Sequence, residues 1–425
     1  MFEEAAAHRA IEAVWRIECA RIVATVARMT RDVGLAEECA QDALVSALEH
    51  WPAEGTPMNP AAWLTTAAKN RALDIIRHHA LRDRKLEELG LDLEAQEALI
   101  VPDFVDALDA ARQDRIGDDL LRLIFTACHP VLPTDARVAL TLRLLGGLST
   151  GEIARAFLVP EPTVAQRIVR AKKTLSQAQV PFELPPDDDL ADRMASVLEV
   201  LYLIFNEGYA ATAGDDWMRP TLCDEALRLA RVLATLAPHE PEVHGLQALM
   251  EIQSSRTAAR TDAQGRPVLL PDQDRGRWDR LLIRRGLDAL IRAEALSAER
   301  GAYTLQAALA ACHARAATAA ATDWPRIVAL YDELLRLNPS PVVALNRAVA
   351  VGQASGAAAG LTAVDALAKE AVLADYHWLP SVRGDMLERL GRKAEARASF
   401  ERAASMTQNA RERDLLLARA AALSA

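Results

Sequence analysis

The side chains with the clearest chemistry lie in the stretch LSTGEIARAFLVPEPTVAQRIVRAKK, residues 148–173. Its second half has apolar residues spaced four, three and four apart, which predicts a helix with one buried stripe, formed by Val164, Ile168, Ala171 and Leu175. The other side carries hydroxyl, amide and cationic groups, namely Thr163, Gln166, Arg167, Arg170 and Lys173. Such groups hydrogen-bond base edges and pair with phosphates. The stretch is predicted to bind DNA, with a plain amphipathic helix pair as the alternative.

Helix start and stop signals predict how this stretch folds. Ser149 or Thr150 can cap a first helix, and Glu152 complements its dipole. Residues 158–160 form the turn, and Pro162 is tolerated in the first turn of the second helix. The result is a helix-turn-helix, although Leu158 stands where many such turns carry glycine.

A second basic stretch lies upstream, in NPAAWLTTAAKNRALDIIRHHALRDRK. Asn59 caps and Pro60 begins a long helix whose predicted buried stripe is Leu64, Ala68, Ala72 and Ile75. Its outer face is predicted to carry Asn70, Asp74, Arg77 and His78. This face combines cations with side chains that can hydrogen-bond to bases.

The helix before it, LAEECAQDALVSALEHWP, has an apolar stripe and a polar face. The predicted inward residues are Ala40, Ala43, Leu44, Ala47 and Leu48. The predicted outward residues are Glu38, Gln41, Asp42 and Glu49. The outward face is an acidic and polar patch that suits a basic partner surface.

The chain as a whole is acidic, although its basic residues are grouped. It has 49 Lys and Arg against 59 Asp and Glu, a formal net charge of −10. Six basic and two acidic residues lie in 61–85, two basic and eleven acidic residues in 86–119, and basic residues return in 120–175. A single such run is commonly a solvated helix face. Three alternating blocks indicate two basic modules joined by an acidic linker.

Composition bounds the fold class. The chain has 425 residues, of which 51% are hydrophobic and only 4% aromatic, and this favours an all-α protein of about two to four domains. No apolar run approaches the length of a membrane span, and the acidic, amphipathic start is unlike a secretory signal. The expectation is a cytoplasmic protein without membrane segments.

Cysteine usage and motifs speak against metal sites and catalysis. The five cysteines are scattered and without a C-x-x-C pair, as expected for reduced thiols. Cys128 and His129 are the one Cys/His neighbour pair, too few ligands for a metal site. We find no phosphate-cradling glycine loop, nucleophile elbow or metal-spaced His/Glu pair. The prediction is a protein that is not an enzyme and needs no cofactor.

The order and spacing of these segments resemble an extracytoplasmic-function (ECF) RNA polymerase sigma factor of the sigma-70 family, over about residues 8–180. AEECAQDALVSALEHW resembles region 2.2, and PAAWLTTAAKNRALDIIRHH resembles regions 2.3 and 2.4. LSTGEIARAFLVPEPTVAQRIVRAKKTL is similar to region 4.2. The resemblance implies an alternative sigma factor that directs promoter-specific initiation. It also accounts for the acidic chain, because the polymerase then supplies much of the DNA affinity.

The resemblance assigns roles to the residues of the three motifs. Its implied contacts with core RNA polymerase, on the β′ clamp helices and the β flap, place Glu38, Gln41, Asp42 and Glu49 on the polymerase-binding surface. The implied contacts with the −10 promoter element are Lys69, Asn70, Arg71, Asp74, Arg77 and His78. The implied contacts with the −35 element are Thr163, Gln166, Arg167, Arg170, Lys172 and Lys173.

The predicted domains follow the motifs and the composition. They are sigma region 2 (1–85), the acidic linker (86–119), sigma region 4 (120–180), a Pro- and Asp-rich linker (181–189), a helical extension (190–290) and helical repeats (291–425).

The extension begins with VLEVLYLIFNEGY, which is apolar nearly all round and predicts a deeply packed helix with Gly208 as its C-cap. Asn206 and Glu207 form either a functional polar site or a satisfied helix end. Farther on, Gln264-Gly265 and the run PVLL predict a small hairpin or an ordered loop. The charged residues around it are either an ion-pair network between helices or a ligand site: Arg256, Arg260, Asp272, Asp274 and Arg275.

The last segments resemble tetratricopeptide repeats. RGDMLERLGRKAEARASFERA places small and aromatic residues at the packing positions of such a repeat, namely Gly384, Gly391, Ala396, Phe400 and Ala403. Tyr331 and Pro339 fit the end of another repeat, whereas Gln408 replaces the expected proline. A plain helical bundle is the alternative. The whole resembles an ECF subgroup with a tetratricopeptide-like extension, expected to contact the sigma portion and to bind a peptide or other ligand.

Other classes fit less well. The main alternative is a helix-turn-helix regulator with a tetratricopeptide-like sensor that binds a peptide or protein. Such a regulator would not contain the helix AAWLTTAAKNRALD, which this sequence has. A response regulator needs a receiver domain of alternating strands and helices, and a pure scaffold leaves both basic blocks unexplained.

Overall fold

A computed structural model describes residues 2–88, 112–157 and 159–423. Within these ranges the secondary structure is eighteen α-helices, several one-turn helical segments and two strands of two residues each, so the all-α prediction is confirmed. The chain forms two compact units, Met1–Val200 and Leu201–Ala425. Most of the predicted acidic linker (89–111) lies outside the described residues. No described helix is long and apolar enough to cross a membrane.

The first unit begins with three long helices that pack on one another: α1 (Phe2–Thr30), α2 (Val33–Glu54) and α3 (Pro60–Glu88). Asp32 caps α2 by accepting from the Leu35 amide, and Asn59 caps α3 by accepting from the Ala62 amide. The predicted stripe of α3 is fully buried at Leu64, Ala68 and Ala72. Trp51 and Trp63 stack edge to face, with ring centroids 5.4 Å apart, where α2 ends and α3 begins.

One residue of the predicted α2 stripe is misassigned. Ala40, Ala43 and Ala47 are buried, but Leu48 is 37% exposed and joins Val45 on the outer side. The helix packs through alanines, which bring α1 and α3 close, so only a narrow stripe is covered.

The rest of the first unit contains four shorter helices and the start of a fifth: α4 (Arg112–Ala127), α5 (Thr134–Leu144), α6 (Thr150–Phe157), α7 (Glu161–Gln177) and α8 (Asp187–Tyr209). α5 and α6 pack against α7, whose predicted stripe is buried at all four positions. Leu158, in the turn between α6 and α7, lies outside the described residues.

The boundary between the units lies within α8, at Val200, and not in the predicted 181–189 linker. The reason is that the first turns of α8 are anchored to the helices before it. Arg193 Nη2 donates to the Phe125 carbonyl over 2.8 Å, and Ser196 Oγ donates to the Cys128 carbonyl over 2.6 Å. These contacts attach the first turns of α8 to the end of α4, within the unit that extends to Val200.

The second unit continues from α8 with ten helices: α9 (Pro220–Leu236), α10 (Pro241–Ser254), α11 (Arg280–Leu296), α12 (Ala302–Arg315), α13 (Trp324–Leu337), α14 (Pro341–Ala354), α15 (Ala357–Leu367), α16 (Trp378–Arg389), α17 (Lys393–Met406) and α18 (Ala410–Ala422). An apolar core lies among α10, α11, α12 and α13. A smaller core centres on Phe400.

Gly208 is not a C-cap, because α8 continues to Tyr209. A Cβ at Gly208 would lie 2.6 Å from the Cys223 backbone nitrogen and 2.8 Å from Leu222 Cβ. The glycine therefore permits close approach of α9. Glu207 pairs with Arg219 and accepts from Thr212 Oγ1 over 2.9 Å. Glu207 is thus part of a satisfied helix end.

The predicted hairpin is a single antiparallel bridge between Thr261 and Pro267, closed by a turn with Gly265 at φ +74°. Gln408 and Asn409 form β2, which pairs in parallel with β1 (Ala213–Gly214). The Asn409 side-chain amide donates to the Ala211 and Asp216 carbonyls over 3.0 and 2.8 Å. Gln408, which stands where a repeat would carry proline, thus lies in this short pairing.

The residues assigned to a tetratricopeptide repeat lie on an adjacent helix pair, α16 and α17. Ala396, Phe400 and Ala403 are fully buried, and a Cβ on Gly384 would lie 2.7 Å from Phe400 Cε1. Small and aromatic residues therefore pack as the motif requires, while membership of the repeat family stays a prediction.

Candidate nucleic-acid interface

The outer face of α3 is exposed where the sequence predicts contacts with a separated DNA strand. Asn70, Asp74, Arg77 and His78 are all exposed, and Arg77 lies 3.9 Å from Asp74. Lys69 is half-buried. The face therefore presents cations beside amide and imidazole groups, the combination that holds phosphates and bases.

Arg71 joins this face to the acidic face of α2. Its Nε lies 2.7 Å from Asp42 Oδ2, and both side chains are about half exposed. The hydrogen bond to Asp42 raises the pKa of the Arg71 guanidinium. Two residues assigned to different partners, DNA and polymerase, are thus in contact with each other.

The outer face of α2 is more apolar than predicted. Glu38, Asp42 and Glu49 are exposed and Gln41 is half-buried. Val45 and Leu48, 51% and 37% exposed, lie among them at helical spacing. Apolar side chains surrounded by carboxylates are typical of a protein-binding surface.

The helix-turn-helix is built as the start signals predict. Ser149 Oγ accepts from the Glu152 amide over 3.2 Å, and the Ser149 amide donates to Glu152 Oε2 over 2.8 Å, which is a capping box. Burial raises the pKa of Glu152, but the hydrogen bonds from Ser149 and the charges of Arg16 and Arg155 outweigh it, so the pKa is lowered.

The residues predicted to bind the −35 element differ in accessibility. Gln166, Arg170 and Lys173 are exposed, and Thr163 is half-buried. Arg167 Nε lies 3.0 Å from Asp135 Oδ2 of α5. Exposed cations on the second helix can reach phosphates or bases directly, whereas Arg167 must first leave its carboxylate.

Lys172 is also engaged, by a residue that the sequence interpretation missed. Glu37 of α2 is only 6% exposed and pairs with both Lys172 and Arg143, the latter with Nε 2.8 Å from Oε1. The side chains of both cations are 18% exposed. This Glu37 cluster (Glu37, Arg143, Lys172) ties the helix-turn-helix to the three-helix bundle. The feature of the sequence that could have indicated this cluster is Glu37 itself, a carboxylate three residues before Ala40 on the apolar stripe of α2.

Cys128 and His129 have no metal-binding geometry. The described residues contain no cluster of three or more metal-ligating side chains. Burial raises the pKa of the Cys128 thiol to about 11. Burial and the nearby Arg193 charge lower the pKa of His129 to about 4.

Three family models match the chain. Residues 19–82 match sigma-70 region 2, and residues 122–175 match sigma-70 region 4. Residues 193–295 match a family of unknown function, DUF6596. The first two ranges contain the α2–α3 surface and the helix-turn-helix.

Relatives extend these matches. An uncharacterized protein of Rhizobium meliloti (strain 1021) is 46% identical over 387 residues, 91% of this chain and 89% of the relative. The ECF RNA polymerase sigma factor SigK of Mycobacterium ulcerans is 29% identical over 162 residues, 37% of this chain and 79% of the relative. The RNA polymerase sigma-H factor of Pseudomonas aeruginosa is 27% identical over 165 residues, 38% of this chain and 82% of the relative.

Both sigma-70 regions are present in the expected order, and sigma factors of the ECF type match over a third of the chain. The chain therefore contains both sigma-70 regions, which supports an ECF-type sigma factor, and the Rhizobium relative matches 91% of its length.

Proposed function

We propose that this chain is an alternative sigma factor that binds core RNA polymerase through α2 and engages promoter DNA through α3 and α7. The proposal rests on one observation, the position of the outer faces of α2 and α3 next to each other. An acidic face with exposed Val45 and Leu48 lies directly beside the cationic face of α3, joined by the Asp42–Arg71 pair. A protein partner and a DNA strand can therefore be held side by side.

The proposed polymerase contacts are the acidic residues of α2 against the β′ clamp helices, and the helix-turn-helix against the β flap. The proposed −10 contacts are the exposed residues of α3, because amides and cations hold separated bases and phosphates. The proposed −35 contacts are Gln166, Arg170 and Lys173, with Arg167 and Lys172 joining them once they leave Asp135 and Glu37.

Reconstituted transcription tests the proposal. Holoenzyme carrying Asn70→Ala and Arg77→Ala should form fewer open complexes at a promoter selected from a library, while polymerase binding is retained. Permanganate reactivity of the melted strand reports opening, and a gel shift reports holoenzyme assembly. The matched control is Asn346→Ala with Arg397→Ala, which makes the same side-chain changes at exposed positions of the second unit. Intact permanganate reactivity in the α3 variant contradicts the assignment of this face.

We further propose that the second unit regulates the first through contact with it and a bound ligand or peptide. What supports this is its extent, because DUF6596 and the helices after it fill this chain from α8 onward, and the Rhizobium relative matches 91% of the chain. A truncation must retain Val200, since Arg193 and Ser196 anchor α8 to the first unit. Residues 1–200 should give severalfold lower promoter output than the full chain. Identical output and identical hydrogen exchange in residues 2–88 would contradict the proposal.

A further inference from the structure

The second unit contains three clustered arginines that have no acidic partner among the described residues. Arg256 and Arg260 are only 8% and 6% exposed, and Arg275 is half-buried. Among the residues that the structure describes, no carboxylate forms an ion pair with any of the three, so the predicted ion-pair network is wrong. Asp274 instead caps a one-turn helix by accepting from the Gly276 amide, and Asp272 is exposed. Buried cations normally have a paired anion.

Aromatic rings and carbonyl oxygens hold these cations in place. The Arg260 guanidinium carbon lies 3.5 Å from the Tyr209 ring centroid and 5.6 Å from that of Trp217. Arg256 and Arg275 lie 5.9 and 4.6 Å from the Trp278 ring centroid. Cation–π contacts of this kind offset part of the desolvation cost but leave each positive charge uncompensated.

Several hydrogen-bond donors in the cluster have no acceptor in the part of the chain that the structure describes. Arg256 Nε is buried and unpartnered, and so are the indole N–H groups of Trp278 and Trp217. Trp278 is only 3% exposed. A buried N–H without an acceptor costs about 1–3 kcal/mol, and here the donors accompany guanidiniums that repel one another. Burial lowers the pKa of Arg260, and the Arg256 charge lowers it further.

His313, at the end of α12, lies in the same positive field. Burial lowers its pKa to about 4, and the charges of Arg256 and Arg275 add to the shift. Arg275 Nη1 also donates to the His313 carbonyl and, over 2.9 Å, to the Ala316 carbonyl. The guanidiniums and indoles of the cluster therefore lie within residues 217–278, and the end of α12 supplies carbonyl acceptors to Arg275.

We propose that this arginine cluster (Arg256, Arg260, Arg275, with Trp278 and Trp217) is a binding site for an oxyanion group of a small phosphorylated or carboxylated molecule. Guanidiniums form strong charge-assisted hydrogen bonds with both groups, and the unpartnered Arg256 Nε and Trp278 N–H supply further donors. The site lies in the part of the chain matched by DUF6596, apart from the proposed DNA and polymerase contacts. Its ligand is therefore a candidate signal for the second unit.

Calorimetric titration of the full chain, without polymerase or DNA, tests the proposal separately from the sigma function. Sodium phosphate and sodium acetate are the probes, each at constant ionic strength balanced with sodium chloride. We expect saturable binding of at least one probe, near one per chain. Phosphate alone would indicate a phosphorylated ligand, acetate alone a carboxylated one, and both an oxyanion site without preference.

Two variants locate the binding. Trp278→Phe removes the N–H donor and keeps a smaller aromatic ring beside Arg256 and Arg275, so it should weaken binding by about threefold to tenfold. Arg256→Gln should weaken it by more than about tenfold. Trp378→Phe and Arg397→Gln make the same changes at exposed positions of the second unit and should leave affinity unchanged.

The proposal is overturned if neither probe binds saturably, since the heats then reflect an adventitious ion only. It is equally overturned if Trp278→Phe binds as tightly as the unmodified chain. Should Arg256→Gln fail to fold, Trp278→Phe decides the question, because it alters no charge and keeps an aromatic ring at this position.

Discussion

The Glu37 cluster and the arginine cluster satisfy buried charge in different ways. In the first unit, one carboxylate holds two cations, each still 18% exposed. In the second unit, three arginines lie among aromatic rings and carbonyl oxygens, and none pairs with a described carboxylate. In the first arrangement each cation has a carboxylate partner within the chain, and the ion pairs link α2 to α5 and α7. The second keeps an excess of positive charge, which is characteristic of a site that takes its anion from outside.

The largest effect is expected at the carboxylate of the Glu37 cluster. Glu37→Gln leaves Arg143 and Lys172 without their counter-ion and should destabilise the first unit by about 2–3 kcal/mol. This lies at or below the usual range for a fully buried pair, because both cations keep some exposure. Hydrogen exchange along α2 and α7 measures the loss. Glu38→Gln, at an exposed neighbouring position, is the control. Equal protection from exchange in both variants would mean that the ion pairs of the Glu37 cluster do not stabilise the first unit.

A smaller loss of stability is expected when the arginine cluster is changed. Arg260→Gln removes the stacking on Tyr209 and the hydrogen bond to the Tyr209 carbonyl, at a cost of about 2 kcal/mol. Hydrogen exchange at the end of α8 and in α9 reports this cost. Arg266→Gln, at a side chain that is 70% exposed, should have no measurable effect. If Arg260→Gln stabilised the unit, the repulsion among the arginines would outweigh the stacking.

The buried stripe of a helix could be predicted from the sequence, whereas contacts between helices could not. Periodicity identified the stripes of α3 and α7 because spacing along one helix is local information, and Leu64, Ala68 and Ile168 are buried as predicted. It misassigned Leu48, whose exposure depends on how closely α1 and α3 approach. It read Gly208 as a cap, because the approach of α9 is a long-range contact.

Charge partners were the least predictable feature of the candidate sites. Lys172 and Glu37 are 135 residues apart, and Arg256 is 47 residues from Tyr209. Nothing in the local pattern distinguishes an arginine that binds DNA from one that stacks on a ring. The exposed set on α3 and α7 could be predicted because solvent-facing positions follow from the opposite stripe.

Promoter recognition should separate the exposed from the engaged cations of α7. Arg170→Ala should weaken binding of the holoenzyme to the −35 element by about 1–2 kcal/mol, because an exposed arginine reaches DNA without losing a partner. Arg167→Ala should cost less, since Arg167 gives up its pairing with Asp135 when it binds. Filter binding or a gel shift with paired promoter fragments measures both. A larger loss for Arg167→Ala would reverse this order and place Arg167 at the DNA.

The smallest effect on stability is expected at Glu152, a carboxylate that accepts its hydrogen bonds from Ser149 at the start of the same helix. Ser149→Ala removes one side of the capping box with Glu152 and should cost about 1 kcal/mol at neutral pH. The folded pKa of Glu152 is lowered, so its contribution is present above the ordinary glutamate pKa and is lost as the pH falls through the lowered value. The difference between Ser149→Ala and the unmodified chain should therefore shrink on acidification. Urea unfolding monitored by exchange in α6, at neutral pH and near pH 4, measures it, with Ser176→Ala at an exposed position of α7 as the control. A difference that is independent of pH would mean that the Ser149 hydroxyl acts without the Glu152 charge.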